Sequence, residues 1–357
     1  MTKNQHSSVT PPPNAPPPIA ITMGEPAGIG IDLLLMLLDN DPSLFKNCVY
    51  IGDPDHLKQR ASRLKLQPAL SILETLDQCD PLNAHALQIL PLRHKITPDC
   101  CGLLDQNNNP AILEAIETSV ALAMQQKISA MVTLPIHKAI LMETGFAHKG
   151  HTDFIGKLSG ADHPIMMLAT HGIDPVLRVV PLSVHVPLKA VLDDLKKKDL
   201  YRITQIIAQS LHQYFGIDQP VLAFAGINPH AGEEGRLGSE EQDMLRPLLK
   251  KLNANGIHAL GPFSADSLFH DQARMHYDAV LCAYHDQALI PLKTLDFYGG
   301  VNITFGLPFI RTSPDHGTAL TLAGTGKGNA TSLLQALMMA RQMHDQSRIF
   351  TENQARP

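Results

Sequence analysis

The stretch Asp278–Lys293, DAVLCAYHDQALIPLK, sets an apolar run, Ala279–Tyr284, directly against two titratable residues, His285 and Asp286. A buried strand that closes on such groups needs something to pair with them, because desolvating them is costly. The same ending occurs twice more: VVPLSVH finishes at His185 and AFAGINPH finishes at His230. Around these runs, short apolar segments alternate with helical patterns. Ile19–Thr22 precedes Ile29–Leu38, Cys48–Ile51 precedes His56–Leu64, and the amphipathic Ala111–Gln126 precedes Ala130–Leu134. Val176–Val184 follows, then the helix-like Leu200–Phe215 before Val221–Ile227, and a last helical stretch, Thr331–His344. Strands separated by helices predict an α/β protein with a largely parallel sheet. In such a sheet the carboxyl ends of the strands share one edge, where ligands bind. Three imidazoles brought to that edge form the protein half of an open metal site. A single histidine carries no such assignment. The chain has 18 of them, and a histidine at a strand end is ordinarily a satisfied edge residue. Only the repetition has weight.

The bulk numbers bound the rest. With 357 residues, 44% hydrophobic and 18% charged, the chain can form one large or two medium domains. The net charge of -5 and the lack of long basic runs argue against a nucleic-acid surface. Lys196, Lys197 and Lys198 read as a solvated helix end. Five cysteines, without CxxC spacing, predict reduced thiols and a cytoplasmic protein. No apolar run reaches the roughly 18 residues of a membrane span. The segment TPPPNAPPPIA, with six prolines between Pro11 and Pro18, predicts a disordered tail over residues 1–18 and no signal peptide.

A second group of residues is cationic and polar: His151 and Thr152 in GHTDF, Lys293, Asn302 in GGVNIT, and Arg311 in GLPFIRTS. Lysine and arginine with amide and hydroxyl donors suit a phosphate or carboxylate. Alone, Lys293 reads as a solvated loop lysine; Arg311 follows an apolar run and needs a partner if buried. Two glycine loops remain. TMGEPAGIGID has the strand–loop–helix context of an anion site but lacks GxGxxG and GK[ST], so a tight turn explains it equally well. DHGTALTLAGTGKGNA, Asp315–Ala330, leaves backbone amides open to a flat or anionic ligand.

Together the motifs GEPAGIG, PIHK, GHTDF, MMLAT, NPHAGE, LGPFSADSLF, YHDQALIPLK, GVNITFGLPFIRTSPDHGTAL and AGTGK, in this order, closely resemble the 4-hydroxythreonine-4-phosphate dehydrogenase family of vitamin B6 biosynthesis. The resemblance runs from Ile19 to about Met343. It implies the two-domain fold of isocitrate and isopropylmalate dehydrogenases, with mostly parallel sheets and a cleft between domains. The first domain would be 19–150 plus 310–345 and the second 151–309. It also implies that His185, His230 and His285 bind a divalent metal (zinc, magnesium or cobalt) and that His151, Thr152, Lys293, Asn302 and Arg311 bind substrate. His316, Gly317, Thr318, Gly324 and Lys327 would carry NAD or NADP, in a homodimer whose subunits share each active site. Leu134 stands where the family more often has a small residue, so an altered cleft wall is expected there.

The implied reaction oxidises the alcohol of 4-(phosphooxy)-L-threonine. Since no side chain accepts a hydride, a nicotinamide is required, and a metal on three imidazoles would acidify the hydroxyl. The 3-oxo acid formed would lose carbon dioxide to give 3-amino-2-oxopropyl phosphate. Asp266 and Asp286 are candidates for the general base, with helix caps or partners of the metal histidines as equal alternatives. Rival readings are a dehydrogenase of 4-phosphothreonate or 4-phosphoerythronate, a metal-dependent phosphatase, and a non-catalytic phosphometabolite-binding protein.

Overall fold

The computed structural model describes residues 15–98, 100–148 and 150–354. Residues 1–14 of the expected disordered tail lie outside them. Among the described residues twelve strands form: β1 (Ile19–Thr22), β2 (Cys48–Gly52), β3 (Leu70–Ile72), β4 (Leu87–Pro91), β5 (Ala130–Thr133), β6 (Ile165–Ala169), β7 (Arg178–Ser183), β8 (Leu222–Ala225), β9 (Ala259–Phe263), β10 (Ala279–Tyr284), β11 (Val301–Phe305) and β12 (Ile310–Pro314). The chain divides into two compact units, Met1–Gly160 with Pro308–Ala340, and Ala161–Leu307 with Arg341–Pro357.

In the first unit the strand order is β3-β4-β2-β1-β5-β12, and every pairing is parallel. β1, β2 and β5 are buried along their whole length, as expected of strands covered on both faces, which therefore read as continuous apolar runs. β12, sequence IRTSP, is equally buried despite its polar residues. Those residues find partners: Thr312 Oγ1 donates to Ala336 O at 2.8 Å, and Arg311 Nη2 donates to Thr133 Oγ1 at 2.7 Å. The helix His151–Ser159 belongs to this unit, about ten residues past the boundary expected from the sequence. It buries Phe154 and Ile155 and packs on the helix Asn109–Met124.

In the second unit the order is β11-β6-β7-β10-β8-β9. β11 and β7 run antiparallel to β6, whereas β7, β10, β8 and β9 are mutually parallel. Leu168, Leu177, Val179, Val280, Cys282 and Leu292 form the centre of its core. β7, β10 and β8 are neighbours with one direction, so their carboxyl ends share one edge. No helix among the described residues is long and apolar enough to cross a membrane, and all five cysteines are free thiols.

Candidate functional site

The three histidines follow those three strand ends. His185 comes two residues after β7, His285 opens the helix His285–Leu295 directly after β10, and His230 lies in the turn Pro229–Gly235 beyond β8. The rings of His185 and His285 lie 6.0 Å apart, centroid to centroid. His185 (φ 56°) and His230 (φ 53°) both have left-handed backbone, which disfavours a side chain by roughly 1–2 kcal/mol per residue. His230 starts a run of such residues through Glu234. The turn is held from outside. Buried Glu241 accepts the Ile227 and Asn228 amides at 2.7 Å, and its other oxygen accepts Asn228 Nδ2 at 3.0 Å. Gly232 is required there, because a Cβ would lie 2.6 Å from Glu241 Oε2. Gln287 links the two strand ends, donating to Gly226 O at 2.8 Å and accepting from Ala283 N at 2.6 Å.

His285 is oriented. Asp286 Oδ1 lies 2.7 Å from its Nδ1, so a carboxylate there fixes the proton on Nδ1 and leaves Nε2 as the lone-pair donor. That geometry suits a metal-ligating imidazole. Among the described residues, however, no three His, Cys, Asp or Glu side chains form a metal-holding group. The strand ends thus bring His185 and His285 together, and His230 stands on the same edge without closing a three-ligand shell. Asp266 accepts from Ser264 Oγ, which holds its carboxyl below the usual range, with a smaller effect from His230. Asp266 and Asp286 both line a cavity of about 390 Å³, whose walls are otherwise mainly apolar and include Phe269, Ile290 and Leu295.

Of the five residues expected to bind substrate, Lys293 and Asn302 lie in the second unit and His151, Thr152 and Arg311 in the first. Lys293 places its ammonium 5.5 Å from the ring of Phe297. Asn302, on β11, has a buried Oδ1 with no hydrogen-bond partner among the described residues. In the first unit Arg311 is buried, and desolvation lowers its pKa to about 10, so it stays charged at neutral pH. His151 is held well below the ordinary imidazole range by burial first, then by the charges of Arg311 and Lys138. It is therefore neutral, and its shielded Nε2 has no hydrogen-bond partner among the described residues. Lys138, which opens the short helix Lys138–Glu143, was not singled out by the sequence reasoning; its only signal was membership of PIHK.

The two glycine loops of the first unit pack on each other. Ile29 N donates to Thr318 O at 2.8 Å, and a Cβ at Gly28 would lie 3.0 Å from that same oxygen. Gly324 N donates to Asp32, whose buried carboxylate pairs with Arg60. Arg60 also donates to Pro26 O at 2.7 Å and Gly28 O at 3.0 Å. The TMGEPAGIGID loop is thus a tight, pinned turn. Glu25 in it is buried, which raises its pKa to about 7 against the pull of the Ala27 amide. Among the residues expected to hold the nucleotide, Thr318 is buried in this packing while Gly317 and Lys327 are exposed. A Cβ at Gly317 would meet nothing within 4 Å, so packing does not demand glycine there. Gly317 is thus open to close approach of a ligand, whereas a Cβ at Gly324 would clash with Cys101 Sγ and Arg63. Leu134, expected on a cleft wall, is instead fully buried, with its Cβ 3.1 Å from the Cβ position of Gly30.

Two α/β units, one with three histidines beyond adjacent carboxyl strand ends and the other with two packed glycine loops, define the broad class. Comparison with known proteins narrows it. Residues 44–340 match the family model described as pyridoxal phosphate biosynthetic protein PdxA. The chain is 44% identical over 332 residues to 4-hydroxythreonine-4-phosphate dehydrogenase of Ruegeria sp. (strain TM1040), covering 92% of this chain and 97% of that protein. It is 43% identical over 328 residues to the protein of that name from Paracoccus denitrificans (strain Pd 1222), covering 91% and 97%. The crystal structure of 4-hydroxythreonine-4-phosphate dehydrogenase from Klebsiella pneumoniae matches with TM-score 0.82 at 31% identity, over 94% of this chain and 99% of that one. The chain belongs to the pyridoxal phosphate biosynthetic protein PdxA family, as its motifs implied.

Proposed function

We propose that the protein oxidises 4-(phosphooxy)-L-threonine with NAD(P) to 2-amino-3-oxo-4-(phosphooxy)butanoate, which decarboxylates to 3-amino-2-oxopropyl phosphate. The observation that carries this reading is family membership joined to histidines on three adjacent, parallel strand ends. NAD(P) would supply the hydride acceptor for the alcohol carbon, and a divalent cation (zinc, magnesium or cobalt) would supply the charge that acidifies the hydroxyl. His185, His230 and His285 would hold the cation, with Asp286 keeping the lone pair of His285 available. His151, Thr152, Lys293, Asn302 and Arg311 bind the substrate, so that interactions with its non-reacting end orient the reacting carbon. Asp286 is already engaged by His285. Asp266, held below the usual carboxylate range, is a weak acceptor for the hydroxyl proton. Neither is assigned as the base.

The protein acts as a cytoplasmic homodimer whose subunits share each site. Free thiols support the compartment. The apolar cavity beside Asp266 and Asp286, with Ile290 65% exposed, supports a covering partner. The test is to incubate the protein with this substrate, a divalent metal and NAD(P), following NADH absorbance and phosphate release. NAD(P)-dependent absorbance without phosphate release is expected; phosphate release without NAD(P) would replace the reading with a phosphatase. His230→Ala is expected to abolish turnover and lower metal content, and a near-normal rate with full metal would overturn the assignment.

A further inference from the structure

We propose that Lys138 is a substrate-positioning residue whose ammonium binds the phosphate dianion beside His151. The inference rests on the phosphorylated-substrate reading above and adds to it a group that nothing in the sequence patterns assigned. Lys138 follows the carboxyl end of β5 by five positions, after the LPIH turn that His137 closes as the N-cap. Lys138 is exposed, and the end of its stem passes over Gly150, where a Cβ would come within 2.8 Å of Lys138 Cε. Gly150 has φ +147°, a backbone conformation that favours glycine.

Gly150 is the N-cap of the nine-residue helix His151–Ser159 and brings no side-chain cap to it. Asp153, the acidic residue of its first turn, is engaged by His148 Nδ1 at 3.1 Å. Positive potential then accumulates at one spot. Lys138 and Arg311 are both close enough to depress the pKa of His151, and the helix adds its amino-terminal dipole. Among the described residues no carboxylate or hydrogen-bond acceptor pairs with Lys138. The shielded, unpartnered Nε2 of neutral His151 adds a polar group that calls for a ligand. A monoanionic carboxylate is answered by one cation. Two cations, a helix terminus and a neutral imidazole together suit a dianion carried by a phosphate.

Calorimetric titration of the full-length protein with inorganic phosphate, together with steady-state kinetics, tests this. Lys138→Met is expected to weaken phosphate binding about 10- to 100-fold, the loss of one charge-assisted contact. Lys138→Arg, which keeps the charge, is expected to recover most of it. In turnover, KM for the phosphorylated substrate should rise by the same factor in Lys138→Met, while kcat stays within about threefold and KM for NAD(P) does not move. Unchanged phosphate affinity in Lys138→Met, no saturable phosphate binding by the wild type, or an equal rise in both KM values would overturn the proposal. If the wild type binds phosphate through Lys138 yet does not oxidise the substrate, the functional reading fails and the phosphate site stands.

Discussion

Replacing Arg60 by methionine removes the clamp on both glycine loops of the first unit. The side chains of Arg60 and Asp32 are each 1% exposed, so their ion pair is screened from water. Besides that pair, the guanidinium supplies Pro26 O at 2.7 Å and Gly28 O at 3.0 Å. In Arg60→Met, Asp32 remains buried with only the Gly324 amide, and two buried carbonyls lose their donor. Breaking a buried pair from one side costs roughly 3–5 kcal/mol, because the surviving charge is stranded. Each orphaned carbonyl adds about 1 kcal/mol, and the apolar methionine stem recovers part of it by packing. The expected loss is therefore about 5 kcal/mol.

Urea unfolding followed by far-UV circular dichroism reads this, since the chain has no tryptophan to report by fluorescence. The double variant Asp32→Leu, Arg60→Met removes the stranded charge and should recover half the loss or more, because a well-packed apolar pair often replaces a buried ion pair without penalty. A single variant within about 1 kcal/mol of wild type, or a double variant worse than the single, would refute the reasoning.

Glu25 gives a pH dependence. Burial raises its pKa from 4.5 to about 7, so the native state keeps a proton that the unfolded chain has released. Stability therefore falls as pH rises from about 4.5 to about 7 and levels off above, by up to about 3 kcal/mol in all. Glu25→Gln should flatten that slope in urea titrations at stepped pH and be the more stable form above neutrality; parallel slopes would contradict the assignment. Asp286→Asn takes the carboxylate from His285 Nδ1, and equilibrium dialysis should show metal affinity down about 10- to 100-fold. Unaltered metal content would remove the orienting role.

The strands legible in the sequence were those whose burial on both faces leaves an unbroken apolar run, such as Ile19–Thr22 and Ala279–Tyr284, where the expected and observed bounds agree. β12 was not legible as a strand, because Arg311, Thr312 and Ser313 look like loop residues until Thr133 and Ala336 satisfy two of them. β9 hid behind Gly261 and Pro262, which are tolerated because β9 is the edge strand of its unit. The site divides in the same way. Histidines at strand ends announce themselves by position. Glu241 and Gln287, which hold those ends, look like surface residues, and only the fold shows which amides they accept.

The strand order explains why far-separated histidines leave the sheet at one edge. Neighbouring strands lie about 4.8 Å apart, and β7, β10 and β8 are consecutive neighbours. Groups leaving adjacent carboxyl ends therefore start within reach of one another, and the 6.0 Å between the His185 and His285 rings follows from that spacing. Spacing alone does not aim a side chain. His285 is aimed by the helix it opens and by Asp286, whereas His185 and His230 leave their strands through left-handed backbone that ordinary connections avoid. Strain of this kind persists only where surrounding contacts over-determine it. Here Glu241, Asn228 and Gly232 do so for the His230 turn. The strain falls on two of the three histidines that the family motifs single out, and in the His230 turn it is shared with Ala231, Glu233 and Glu234, so it shapes the whole turn that carries the imidazole.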